Sequence, residues 1–258
     1  MTTPIISLVQ AGRTFGGVTA LAEIDIDLYP GEVHCLLGDN GAGKSTLIKL
    51  LSGVHALSSG AMHLDGESVR LASPREAQSR GIATVHQDTG AIPLMSVAKN
   101  FFLGVEPTRG RGLFSRFDTK KANTIALEQI RAMGITRVTD ADQLVGTLSG
   151  GERQALAIAR ASYFGAKVLI LDEPTSALGV KEATVVLRQI EKAREDGIAV
   201  VFITHNATHA IAVGDRFSVL IQGRVAAQFL RGQMTRNQIL DLMAGGEESL
   251  DLFDRMES

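Results

Sequence analysis

The chain has 258 residues, 45% of them hydrophobic, enough for a sizeable core in one large domain or one domain with a sub-domain. Lys and Arg total 26 against 28 Asp and Glu, a formal net charge of −2, so charge gives no reason to expect DNA or another polyanion, and no nucleic-acid partner is expected. The single cysteine, Cys35, excludes an intrachain disulfide and suits a reducing compartment.

The start, MTTPIISLVQ, has no charged region followed by a long apolar run, so no secretory signal is expected. IISLV (5–9) reads as a continuously apolar strand, of the kind covered on both faces in a parallel sheet. IDIDLYPGEVHCLL and AMHLDGESVRL alternate and turn at Pro30-Gly31 and Asp65-Gly66, which predicts antiparallel hairpins packed on a main sheet. VHCLL (33–37), VLIL (168–171), IAVVFI (198–203) and FSVLI (217–221) are continuously apolar, as strands covered on both faces are. Helical patterns fall between them: STLIKLLSGV from Ser45, ERQALAIARASYF from Glu152 and VKEATVVLRQIEKAREDG from Val180. Strand, helix and strand in succession predict an α/β fold with a mostly parallel core sheet.

The middle, from about Gln87 to Ser149, is less strand-like. Its loop TRGRGLFSRFD, with Arg109, Arg111 and Arg116, reads as solvated, and KKANTIALEQIRAM reads as a helix. The segment is expected to be a helical sub-domain, at about 88–160, inserted into a single domain spanning 1–245. Gly197 to Gly214 lacks Asp, Glu, Lys and Arg but carries His205, Asn206 and His209. Desolvating those three would be costly, so the run reads as a buried strand, a turn and a helix start rather than a membrane span. RNQILDLMAGG reads as amphipathic and the tail at 246–258 as acidic, together a solvated, partly frayed end. No internal repeat appears, so one such unit is expected.

Two clusters carry chemistry. Gly38, Asp39, Asn40, Gly41, Ala42, Gly43, Lys44 and Ser45, followed by Thr46, match G-x-x-x-x-G-K-[ST] between a strand and a helix. The glycines are expected to let backbone amides approach phosphate oxygens. Lys44 would supply charge toward the outer phosphates and Ser45 a hydroxyl to Mg²⁺. VLILDEP then ends a strand with Asp172 and Glu173. Neighbours on a strand point opposite ways, so one carboxylate can serve a metal's water shell while the other faces an attacking water.

LSGGERQALAIARA (148–161), with the phosphate loop and VLILDEP, closely resembles the nucleotide-binding subunits of ABC transporters, in order and spacing over nearly the whole chain. Ser149 to Glu152 also reads as a capping box, with Gly150 and Gly151 leaving the helix end bare as a second anion site. The resemblance implies a P-loop NTPase (RecA-like) fold with an antiparallel β sub-domain and a head-to-tail dimer enclosing two ATP molecules. In it Ser149, Gly150, Gly151 and Glu152 would grip the γ-phosphate of the partner's ATP. It further implies that Phe15 stacks on adenine, that Gln87 joins Ser45 and Asp172 around Mg²⁺, that Glu173 is the catalytic base and that His205 contacts the γ-phosphate. Gly179 stands where most members have Asp, which puts the usual coupling between the two sites in doubt.

GEVHCLLGDNGAGKSTLIKLLSGVH, LASPREAQSRGIATVHQD and RGQMTRNQILDLMAGG resemble the ATPases of monosaccharide importers, and the single unit resembles their fructose-type branch. The resemblance implies a peripheral subunit on the cytoplasmic side of the inner membrane, bound to permease subunits and indirectly to a sugar-binding protein. AIPLMSVAKNFFLG (91–104) reads either as part of the groove receiving the permease or as sub-domain core. Importers of other solutes such as branched-chain amino acids, soluble ABC ATPases of translation or repair, and accessory ATPases of metal-cluster assembly remain as alternatives.

Overall fold

A computed structural model describes residues 3–110, 115–133, 135 and 137–245. Its main sheet has six strands: β3 (Val33–Leu37), β6 (Ile82–Val85), β9 (Val168–Asp172), β10 (Ala199–Ile203), β11 (Arg216–Ile221) and β12 (Arg224–Leu230), in the order β12-β11-β3-β10-β9-β6. All neighbours pair in parallel except β12, which returns antiparallel beside β11. The continuous apolarity of the central strands has its expected cause. Val33, Cys35 and Leu37 of β3 join one core layer and Leu36 the other. In β9, Leu169 and Leu171 face one layer and Val168 and Ile170 the other.

The second sheet holds β1 (Ile6–Phe15), β2 (Val18–Leu28), β4 (Ser59–Leu64) and β5 (Glu67–Val69), in the antiparallel order β2-β1-β4-β5. IISLV therefore starts a strand of this sheet, not of the parallel one. The Asp65-Gly66 hairpin forms as expected, with both residues at positive φ (52° and 82°), as a tight two-residue turn requires. The expected Pro30-Gly31 hairpin does not form. That turn carries the chain from β2 in one sheet to β3 in the other. The early hairpin instead closes at Gly16-Gly17, where Phe15 pairs with Val18.

Helix α1 (Lys44–Leu51) follows β3 directly, and α2 (Pro74–Ser79) precedes β6. The middle of the chain contributes α3 (Val97–Phe101), a two-residue ladder of β7 (Thr108–Arg109) with β8 (Arg116–Phe117), α4 (Thr119–Ala132) and α5 (Gly150–Tyr163). Within AIPLMSVAKNFFLG, Val97, Ala98, Phe101 and Phe102 are buried in the layer shared with α4 and α5, while Leu94 is 85% exposed. The second half of this segment is thus sub-domain core, while Ile92, Pro93 and Leu94 are exposed. Arg109 and Arg116 are exposed as expected, and Arg111 lies outside the described residues.

Helix α6 (Val180–Glu195) precedes β10, and α7 (Ala207–Val213) follows it, so Gly197 to Gly214 is the strand, turn and helix start that its polar residues suggest. Helix α8 (Arg236–Met243) is amphipathic as expected and solvated on one face, but it is docked rather than frayed. Ile239 and Met243 are buried in the main core, and a capping box between Thr235 and Gln238 starts the helix. The acidic tail at 246–258 lies outside the described residues. No helix among the described residues is long and apolar enough to cross a membrane.

One buried polar pair has a measurable consequence. His34 Nε2 and Ser218 Oγ lie 2.8 Å apart, fully buried between adjacent strands. Burial first, then the Arg216 charge, lowers the His34 pKa from 6.5 to about 4. The unfolded chain takes up this proton below pH 6.5 and the folded one only near pH 4. His34 therefore contributes stability that is complete above pH 6.5 and lost as pH falls from there to 4, about 3 kcal/mol in all. Urea unfolding at pH 7 and pH 4 should show that loss in the parent and not in a His34→Leu/Ser218→Ala double variant. An equal loss in both would contradict it.

Candidate functional site

Four neighbouring parallel strands deliver the site from their C-terminal ends: β3 into the phosphate loop, β10 into His205, β9 into Asp172 and Glu173, and β6 toward Gln87. The carboxyl edge of an open parallel sheet is where such folds place ligands.

The loop 38–46 closes on itself. Ala42 N donates to Asp39 O at 3.2 Å, and Gly223 N to Ala42 O at 2.9 Å. Asn40 N donates to Asp39 Oδ1 at 2.7 Å. Two of the three glycines are also demanded by the protein itself, whereas Gly41, at φ 84°, has open space where a Cβ would stand. Gly38 has φ 144°, and an added Cβ would lie 2.4 Å from Leu220 O. Gly43 has φ 107°, and its Cβ would meet Leu21 Cδ2 at 2.8 Å. Helix α1 starts from Gly43 with no side-chain cap and no acid in its first turn, so its amide end stays bare and positive. Lys44 is buried, and its Nζ donates to Gly38 O at 2.7 Å and Asp39 O at 3.0 Å. Burial lowers its pKa, against the opposing pull of Glu173, Asp39 and Asp172. Ser45 is exposed and Thr46 half-buried at the same end.

Asp172 is the last residue of β9, with Oδ2 3.7 Å from His86 Nδ1. Strand alternation does not govern Glu173, which lies past the strand in the left-handed region at φ 49°. Its backbone N–H, donated to Ile203 O at 3.0 Å, helps hold it there. Glu173 Oε1 lies 2.9 Å from Nδ1 of the exposed His205, while Oε2 is buried and has no hydrogen-bond partner. Gln87 is exposed just beyond β6.

Phe15 ends β1 and remains 41% exposed. The Arg13 guanidinium lies 4.5 Å from its ring centroid, and the His55 ring meets it edge-on at 5.0 Å. Arg13 is the i−2 neighbour of Phe15 on β1, but His55 meets the ring only because β1 packs beside the segment after α1.

The Ser149–Glu152 capping box forms as expected: Ser149 N donates to Glu152 Oε2 at 2.8 Å, and Glu152 N to Ser149 Oγ at 3.3 Å. The glycines beside it also face the stretch that leads into α6 and its first turn. A Cβ on Gly150 would meet Leu178 Cδ2 at 2.6 Å, and one on Gly151 would meet Glu182 Cβ and O at 3.0 Å. They let α5 approach the start of α6. Gly179, the N-cap of α6, has open space around its missing Cβ, so an Asp side chain would fit there. Two polar links escaped the sequence reading. Thr175 Oγ1 lies 3.0 Å from His209 Nδ1, and Gln154 Nε2 donates to Gln87 O at 3.2 Å.

Between β6 and the helices α3 and α5 lies a cleft of about 420 Å³, with Val85, Asp88, Leu103, Arg160 and Phe164 among its walls. Arg160 crosses from α5 to α3, donating Nε to Phe101 O at 3.0 Å and Nη2 to Leu103 O at 2.6 Å.

A parallel sheet whose glycine loop feeds an uncapped helix beginning Lys-Ser defines a P-loop NTPase. A family model described as ABC transporter matches residues 21–176, well over half of the chain, and the chain belongs to that family. The fructose import ATP-binding protein of Rhizobium meliloti is 40% identical over 249 residues, covering 95% of each chain. The ribose import ATP-binding protein 2 of Escherichia coli O157:H7 is 35% identical, and the match spans 98% of this chain but 49% of that one. Among solved structures, an ATP-binding cassette of an ABC transporter in its ADP conformation shares the fold with a TM-score of 0.81 at 21% identity, covering 98% of this chain and 99% of that one. A dimeric cassette in a post-hydrolysis state, bound to ADP and Pi, matches with a TM-score of 0.71 at 25% identity, covering 89% of this chain and all of that one.

Proposed function

We propose that this protein is the ATP-hydrolysing subunit of an importer for a monosaccharide of the fructose or ribose type. The observation that carries the reading is the match, over 95% of both chains, to a fructose import ATP-binding protein of similar length. The domain is read as 1–245, with the helical sub-domain at about 88–160 inserted.

The site fits ATP with a hard divalent cation. Ser45, Asp172 and Gln87 offer oxygen ligands, directly or through water, of the kind Mg²⁺ takes. When bound, Mg²⁺ would neutralise charge on the phosphate oxygens. The bare end of α1 and the loop amides bind the phosphates, Lys44 meets the outer ones, and Phe15 offers its ring to the base. Glu173, whose Oε2 has no protein partner, takes the proton of the attacking water. His205, bonded to the other carboxylate oxygen, holds the γ-phosphate. In a head-to-tail dimer, Ser149, Gly150, Gly151 and Glu152 of one subunit close on the nucleotide of the other. The cleft beside Arg160 receives a cytoplasmic segment of the permease, which places this subunit on the inner face of the membrane.

The test is location and stimulation. The subunit should sediment with membranes only when its permease is co-expressed, and its ATPase rate should rise with the cognate sugar-binding protein loaded. Stimulation by an amino-acid-binding protein instead would overturn the sugar assignment.

A further inference from the structure

Gln154, the fifth residue of α5, is only 5% exposed. Its Nε2 donates to the backbone carbonyl of Gln87 at 3.2 Å. That partner fixes which way the amide faces, because a carbonyl oxygen can only accept. Gln154 Oε1 is buried without a partner, and the side chain lines a cleft of about 210 Å³ together with Gln87, Thr89 and Glu173. Residues 87–91 lie outside every helix and strand. Among the described residues, Gln154 makes the hydrogen bond that ties this stretch to another element, since Gly90 N bonds within it, to Asp88 Oδ1 at 3.1 Å. The start of α5 is itself fixed by the Ser149–Glu152 capping box and by the close approach of Gly150 and Gly151 to the start of α6.

We propose that Gln154 is a positioning residue through which the first turns of α5 hold the Gln87 segment of the same subunit. A displacement of the α5 start then moves Gln87 directly, through one hydrogen bond, with no need for a signal through the sheet. This rests on the reading above that Gln87 contributes to the Mg²⁺ shell.

Gln154→Glu tests it. The side chain keeps its size, but a carboxylate cannot donate to the Gln87 carbonyl. Gln154→Met, apolar and of similar length, guards against a fault specific to the new charge. ATP binding would be measured by calorimetry with Mg²⁺ and with EDTA, and amide exchange would be followed at 87–91. Losing one such hydrogen bond should weaken Mg²⁺-dependent binding by about fivefold, leave binding in EDTA unchanged and speed exchange within 87–91 at Gly90, whose amide is bonded to Asp88 Oδ1. A merely structural fault would weaken both binding conditions alike. Unchanged exchange and an unchanged Mg²⁺ dependence in both variants would overturn the proposal. Gln87→Ala, measured beside them, separates the two failures. If its Mg²⁺ dependence equals the parent's, the metal-shell reading fails, and exchange at 87–91 alone decides whether Gln154 holds the segment.

Discussion

Glu173→Gln should lower ATP hydrolysis by about 10²–10⁴-fold, the range that a positioned base contributes, while ATP binding stays near the parent value. The substitution is close to isosteric. An amide oxygen can keep the contact with His205 Nδ1 now made by Oε1, so the surroundings need not rearrange. What disappears is the capacity to take a proton. Binding without hydrolysis should trap a nucleotide-bound dimer, visible by size exclusion in ATP but not in ADP. A single-turnover rate equal to the parent's would show that another group removes the proton. His205→Ala measured in parallel would separate loss of the base from loss of the group that steadies it.

Lys44→Ala should weaken ATP affinity by about a hundredfold, since truncating one partner of a hydrogen-bonded, desolvated charge pair costs several kcal/mol. The ammonium now donates to Gly38 O and Asp39 O, so it is already held inside the ring of the loop. Phosphate oxygens carry full negative charge and would compete well for the same donors. The two carbonyls lose a donor in the variant, so some stability is lost too. Lys44→Arg keeps a cation at the position and serves as the folding control. Calorimetry showing parent affinity in a folded Lys44→Ala protein would remove the phosphate cradle from the account.

The strand, loop and helix around Lys44 were legible because each signal is local: an apolar run, glycines and a Lys-Ser pair in register. The reason for the glycines was not, because Leu220 and Leu21, which exclude a Cβ at Gly38 and Gly43, come from distant strands. Pro30-Gly31 announced a turn correctly but could not say which sheet the next strand would join. Glu173 was placed by strand alternation, yet its left-handed backbone is imposed by the chain leaving the sheet. The amphipathic pattern of α8 was legible, but only the main core shows what Ile239 and Met243 pack against. Arg13 and Phe15 share a strand face at i and i+2, but nothing local announces that His55 joins them.

β3 pairs with β10 and β11 alone, whose residues come more than 160 positions later in the chain. A nascent polypeptide leaving the ribosome therefore carries the 38–46 loop long before the sheet neighbours of the strand leading into it exist. Until Ile221 has emerged, Val33–Leu37 is an apolar strand with unpaired edges, open to aggregation or to capture by a chaperone. Fragments that end before β11 contain every residue of the loop but lack Leu220, against whose carbonyl Gly38 packs.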